Sequence, residues 1–167
     1  MVLLEGSHSR VLCDPWVTFD RQAPNDLYNF PETRLSQSDV ARIEPDFIYI
    51  THTHLDHFDA TTLGLFDLDT PILISHYEKN FTEREIRRLG FTDVRITKVG
   101  EWLPLNGADA CWIEPSEVYK QVDSVGLFRI DNEIAVNFND NPFHERHARR
   151  LRDIAGHIDV AMIPFAA

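Results

Sequence analysis

The hydrophobic positions of this chain fall into short apolar runs divided by turn-forming and helical stretches. Residues 1–4 and 10–13 read as two strands joined by Gly6-Ser7-His8-Ser9, a turn-forming tetrapeptide. Phe47-Ile48-Tyr49-Ile50 is short, β-branched and aromatic, as a buried strand requires, and Pro71-Ile72-Leu73-Ile74-Ser75 and residues 93–96 repeat that character. Helical signals lie between these runs. Ser36 or Ser38 can cap a short helix through Val40 and Ile43 that Pro45 ends; residues 60–66 can form another; Asn80-Phe81-Thr82-Glu83-Arg84-Glu85 opens a third, stopped at Leu89-Gly90. Strand-helix-strand-helix-strand order predicts a mostly parallel central sheet flanked by helices.

After Gly100-Glu101-Trp102-Leu103-Pro104-Leu105 the pattern changes. Residues 108–113, 124–130 and 133–137 read as strands, the last two joined by Asp131-Asn132, a two-residue hairpin signal. They predict a second sheet, antiparallel in character. Over residues 142–154, Phe143, Ala148, Leu151 and Ile154 can share one helical face; Gly156 ends that helix, and residues 158–164 read as a buried strand. Residues 17–33 are rich in Pro, Asn, Asp and aromatics without a period, and read as a long ordered loop. Loops of this length often cover sites, so Tyr28 and Phe30, with Trp16, are candidates for a pocket wall; the plainer reading is that they pin the loop to the core.

Composition narrows the class. At 167 residues and 43% hydrophobic content the chain is expected to form one domain, residues 1–167, with a real core. A formal charge of −11 without any Lys/Arg-rich run argues against nucleic acid as a partner, because phosphate-binding proteins display a basic footprint. Only Cys13 and Cys111 are present, each in an apolar strand-like context, which fits two buried thiols in a reducing cytosol better than a disulfide framework. No signal-peptide pattern and no membrane-length apolar run stand in the sequence, so a cytoplasmic protein with no membrane partner is expected.

The candidate chemistry is concentrated directly after the strand at 47–50. His52-Thr53-His54-Leu55-Asp56-His57-Phe58-Asp59 puts three histidines and two carboxylates within eight positions. On extended backbone, residues two apart point the same way, so His52 and His54 can converge on one cation. The chain must then turn, and Asp56 and His57 diverge towards a second position. Imidazole with carboxylate suits zinc, iron or manganese, and the lack of thiolate argues against a closed structural zinc site. The plainer reading is a polar loop, or a cation that only stabilises the fold.

This stretch resembles the His-x-His-x-Asp-His signature of the metallo-β-lactamase superfamily. The resemblance implies an α/β (α+β) fold, an αββα sandwich, with His52 and His54 holding one metal and Asp56 and His57 the other. It also implies that Asp140, at the end of the strand 133–137 in Asn137-Phe138-Asn139-Asp140, bridges both metals, and that Asp14 of Asp14-Pro15-Trp16 is buried behind the site, hydrogen-bonded to the signature loop. Within the superfamily the nearest resemblance is to the branch holding the metallo-β-lactamase-like domain of CMP-N-acetylneuraminic acid hydroxylase and the sugar-lactonase-like hydrolases. It rests on Leu12-Cys13-Asp14-Pro15-Trp16, Asp46-Phe47-Ile48-Tyr49-Ile50-Thr51-His52, Asp56-His57-Phe58 with Thr61 and Leu63, and Asn137 to Asp140. The Cys/His pairs of that hydroxylase's Rieske domain are absent here.

The pattern departs from the family twice. No histidine stands in Glu114-Pro115-Ser116-Glu117-Val118-Tyr119-Lys120-Gln121, where the family supplies a ligand, and Glu117 is the expected substitute. A carboxylate there hardens the site, shifts preference from zinc towards iron or manganese, and resembles the di-iron β-hydroxylases of the same fold. The histidine after a later strand is also missing. His144 and His147 are expected on a helix surface, His157 at the wrong end of its strand, His76 as a loop residue and His8 as a turn residue. Relative to the family the chain looks cut before its end, the rest to be supplied by a missing C-terminal segment or a partner chain. The expected function is hydrolysis of a small-molecule ester, lactone, amide or phosphoester by water activated at two divalent metal ions, zinc first with iron or manganese as alternatives, with Asp56 orienting the water or taking its proton. A non-haem di-iron oxygenase is the alternative, and a partial, non-catalytic domain a third.

Overall fold

Alternate residues of the strands face two different cores, and that alternation builds the molecule. In the computed structural model, which describes residues 1–17, 35–76, 81–115 and 123–164, β1 (Val2–Glu5) and β2 (Arg10–Cys13) form an antiparallel hairpin at one edge of a five-stranded sheet. Next to β2 come β3 (Phe47–Tyr49), β4 (Ile72–Ser75) and β5 (Val94–Thr97), each parallel to its neighbour and in chain order. Between them run α1 (Gln37–Ala41), α2 (Ala60–Leu63) and α3 (Phe81–Arg88). Leu12, Ile48, Ile50, Ile72 and Ile74 pack against Val40, Leu63 and Ile86 of these helices. Val11, Cys13, Phe47, Tyr49 and Leu73 point the other way and meet Ala110, Trp112 and Phe128 of a second sheet.

That second sheet contains β6 (Leu103–Leu105), β7 (Ala108–Ile113), β8 (Val125–Ile130), β9 (Glu133–Asn137) and β10 (Val160–Met162) in the order β10-β9-β8-β7-β6. Its pairs are antiparallel except β9 with β10. On β7, Cys111 and Ile113 face away from the first sheet and pack with Val125, Leu127, Val136 and Phe138 against Leu151 of α4 (Glu145–Ala155). The layers are helix, sheet, sheet, helix, the αββα order expected.

Several elements differ from the sequence reading. β6 was not legible as a strand because Pro104 interrupts it; at the edge of the sheet its missing N–H costs no ladder bond. α2 stops at Leu63, with Gly64 as its cap, rather than running to residue 66. α4 starts at Glu145 rather than at Pro142, because the His144 N–H donates to Nδ1 of His147 (3.1 Å) and closes the first turn there. Phe143 therefore stands outside the helix, 44% exposed, its ring against Phe138. The run 158–164 is not buried: β10 is an edge strand, with Val160 and Ile163 each 49% exposed. Cys13 and Cys111 are free and buried, as expected. No helix among the described residues is long and apolar enough to cross a membrane.

Candidate metal centre

β2, β3 and β4 run parallel, so the loops at their carboxyl ends open at one edge of the sheet, where ligands of α/β folds commonly lie. After β3, the Ile50 N–H still donates to Leu73 O (3.1 Å), and then the chain leaves the sheet. His52 and His54 follow on the same side. Nε2 of His52 and Nδ1 of His54 stand 2.8 Å apart, with the rings nearly perpendicular at 78°. A turn closed by His57 N–H to His54 O (3.0 Å) and Phe58 N–H to the same oxygen (2.7 Å) swings Asp56 and His57 round the other side. Asp59 then caps α2 by accepting from the Thr61 and Thr62 amides.

Asp140 arrives from the other sheet, on the turn after β9. Its Oδ2 lies 3.4 Å from Nε2 of His57 and 3.8 Å from Nε2 of His52, and Oδ2 of Asp56 is 3.5 Å from the same His57 nitrogen. Two groups of donors therefore share one carboxylate: His52, His54 and Asp140, and Asp56, His57 and Asp140, each with its ligand atoms within 4.8 Å of one another. His52 is buried, His57 and Asp56 are half-buried, and His54 and Asp140 are exposed, so the cluster has a closed back and an open front.

The ring nitrogens turned away from the cluster are occupied. Asp14, 5% exposed, accepts from the Thr51 N–H on Oδ1 (2.8 Å) and from the Thr51 hydroxyl on Oδ2 (2.8 Å), and Oδ2 also takes Nδ1 of His57 (3.0 Å). Nδ1 of His52 lies 3.0 Å from Thr51 Oγ1 and 3.2 Å from Asn139 Nδ2. With both Nδ1 positions engaged behind the site, both Nε2 atoms face Asp140. A set of nitrogen and carboxylate donors aimed at common points, free of thiolate, fits divalent cations.

Electrostatics follow from burial and from these contacts. Burial, reinforced by the neighbouring His57 and His54 rings, pushes His52 down to about 3, so its ring is neutral at any physiological pH. Burial also opposes the charge on His57, but the hydrogen bond and charge of Asp14, with Asp140 and Asp56 beyond, outweigh it and hold this ring above its ordinary value. Behind His52 lies a carboxylate the sequence did not point to. Asp123, 1% exposed, is raised to about 7 by burial, against the hydrogen bonds it accepts from the Ser124 amide and Asn139.

Of the expected site residues, the structure brings together His52, His54, Asp56, His57 and Asp140, with Asp14 behind them. Glu117 lies outside the described residues, as do Tyr28 and Phe30. His76 is exposed at the end of β4, and His8 stands in the turn that precedes β2, at the far end of that strand from the cluster. His144 is exposed, whereas His147 departs from the expected surface position: it is 2% exposed and closes the first turn of α4. His157 pairs with Asp159 (3.2 Å). Thr51, Asp123 and Asn139 were missed; each bonds partners far away in the chain, Asn139 and Thr51 being 88 positions apart, and a lone Asp or Thr at a strand end carries no local signal.

No family model matches the chain. A Mycolicibacterium smegmatis protein named "Putative Rieske 2Fe-2S iron-sulfur protein" is 34% identical over 91 residues, which is 53% of this chain and 17% of that protein. The chain thus matches about a sixth of the length of its curated relatives. Among solved structures, a possible metal-dependent hydrolase from Veillonella parvula superposes with a TM-score of 0.72 at 22% identity, over 90% of this chain and 63% of that one. CmlA, a diiron β-hydroxylase from Streptomyces venezuelae, gives 0.69 at 18% identity, over 95% of this chain and 31% of that one. A metallo-β-lactamase from Cronobacter sakazakii gives 0.52 at 13% identity, over 96% and 69% of the two chains. These similarities show a metallo-β-lactamase-like fold, and the branch within it is open.

Proposed function

We propose that the chain is a metal-dependent hydrolase with two divalent cations, one held by His52, His54 and Asp140 and the other by Asp56, His57 and Asp140. The observation that carries this reading is the position of Asp140, whose single Oδ2 lies within 3.8 Å of Nε2 on both His52 and His57 and so joins the two donor groups. Cations so held would lower the pKa of water and polarise a carbonyl or phosphoryl oxygen. The chain's own residues do the rest. Asp14 fixes the ring of His57, and the Thr51 hydroxyl oxygen that of His52, so that the donors are set before substrate arrives. Asp56, half-buried at the open front, would orient the attacking water and take its proton, a role its position beside His57 supports. The substrate is proposed to be a small-molecule ester, lactone, amide or phosphoester, a reading supported by the charge of −11 and by the hydrolase named among the structural relatives. Zinc is the first expectation for the metal.

Metal content per chain tests this directly, by plasma mass spectrometry on protein purified without chelator. About two equivalents of zinc or manganese are expected. Removing Nδ1 of His54 in His54→Ala should abolish turnover and lower the metal content; wild-type activity in that variant would sink the mechanism.

The likeness to CmlA favours one second reading, a di-iron oxygenase, with Glu117 as a further carboxylate ligand. About two irons per chain in the same measurement, and turnover that needs dioxygen and an electron donor, would put it first.

A further inference from the structure

Asp123 stands two residues before β8 and is buried, yet its described contacts are with neutral groups and one imidazole. Oδ1 accepts from the Ser124 N–H (2.6 Å) and from Asn139 Nδ2 (3.0 Å), and Oδ2 accepts from Asn141 Nδ2 (2.9 Å). The same Oδ1 lies 3.5 Å from Nδ1 of His52. Taking a carboxylate out of water is costly, so one kept here is retained for what it holds.

Counting hydrogens shows what that is. The Thr51 hydroxyl gives its only hydrogen to Asp14 Oδ2, and its oxygen accepts from Asn139 Nδ2 (2.7 Å). Asn139 has two amide hydrogens, and Thr51 Oγ1 and Asp123 Oδ1 take both. With Asp123 as the carboxylate, no hydrogen among the described residues is left to donate to Nδ1 of His52, so Nδ1 itself carries the hydrogen, towards Thr51 Oγ1 and Asp123 Oδ1, and Nε2 is left with its lone pair facing His54 and Asp140. Asn139 reaches this position only through a left-handed backbone, φ 53°, braced by its own N–H to Asn137 Oδ1 (2.9 Å). Asp140 is the next residue. Asn139 and Asn141, the residues on either side of Asp140, are therefore both tied to Asp123.

We propose that Asp123 is a positioning residue of the metal centre: through Asn139 it sets the tautomer and ring orientation of His52, and through Asn139 and Asn141 it fixes the turn that presents Asp140. The proposal rests on the reading of the cluster as a metal centre and adds that the His52, His54 and Asp140 group depends on Asp123, while the Asp56 and His57 side is held independently by Asp14.

The test is Asp123→Asn in the full chain, an isosteric change. Two quantities are read: cation affinity at each site, by competition of cobalt(II) or zinc(II) against a chromophoric chelator with the cobalt absorption spectrum distinguishing the sites, and the thermal midpoint of the metal-free protein. The expected result is a loss of about 10–100-fold in affinity at the His52 site, with the Asp56 and His57 site nearer to wild type and the metal-free midpoint little changed. Asn139→Gly permits the left-handed turn and deletes the side chain with its amide; it should give the same one-sided loss, and it decides the matter if Asp123→Asn does not fold. Equal loss at both sites with a lowered midpoint would mark a general structural role and overturn the proposal, as would wild-type affinity in both variants. If the wild-type protein took up no cation, the metal-centre reading would fall and the proposal with it. If the wild type bound two cations and the variants behaved identically, only the proposal would fall.

Discussion

Asp14 occupies a left-handed backbone, φ 43°, that side chains other than glycine adopt at a cost of about 1–2 kcal/mol. Strain of this kind persists where surrounding contacts enforce it. Here the Asp14 N–H is held by Tyr49 O (2.9 Å), and the resulting turn lets one carboxylate reach both Thr51 and His57. Asp14→Asn keeps the size of the side chain but weakens the acceptor of the His57 Nδ1 hydrogen. A fall of about 10–100-fold in cation affinity is expected on the Asp56 and His57 side, measured by the same chelator competition. This residue was legible in the sequence, by the family resemblance of Asp14-Pro15-Trp16, and so were the five donors, four of them packed into one stretch and the fifth closing a recognisable hairpin. Asp123 and Asn139 were not, because their role exists only once β8 and β9 lie beside the ligand loop.

Among the elements, α1 shows how local chemistry sets a boundary. Ser36 Oγ accepts from the Asp39 N–H, and the Asp39 carboxylate accepts in return from the Ser36 N–H (2.9 Å), a reciprocal cap that places the helix start. Those bonds to Ser36, with Arg42 assisting, hold the Asp39 carboxyl down to about 2. A depressed folded-state value means that the contribution is complete above the ordinary value of 3.8 and is lost as pH falls towards 2. Ser36→Ala should therefore lower the urea midpoint at pH 6, and the gap to wild type should narrow between pH 4 and about 2; an unchanged gap would show that the cap does not titrate. The sequence offered both Ser36 and Ser38 as caps, and only the reciprocal bond to Asp39 separates them. β10 is the contrary case. Its apolar run has the composition of a buried strand, but composition does not say how many neighbours a strand has, and among the described residues this one has β9 alone.

At the scale of the whole molecule, the two sheets meet where Tyr49 of β3 lies over Gly126 of β8. The Tyr49 ring stands edge-on to both Trp112 and Phe128, at 5.7 and 5.2 Å, and its hydroxyl is 2.7 Å from Ser124 Oγ. A Cβ on Gly126 would come within 2.7 Å of that ring. Gly126→Ala should cost about 1–3 kcal/mol through overpacking, seen as a reduced denaturant midpoint with an unchanged slope. The αββα layering itself was legible from the change of pattern after residue 105; the depth of contact between the sheets was not, since alternation assigns a residue to a face without saying what that face meets.

The ligand loop belongs to the first sheet and Asp140 to the second, so a metal centre as proposed would also be a clasp between the two halves of the sandwich. An ion gripped from both sides binds the assembled sandwich and not its separated leaves. By mass action its free energy of binding is then shared with folding, about 2.7 kcal/mol when free ion is at a hundred times its dissociation constant. On the proposed reading, cation supply and the mechanical integrity of this molecule would become one equilibrium: starved of ion, the chain would lose part of what keeps its sheets together.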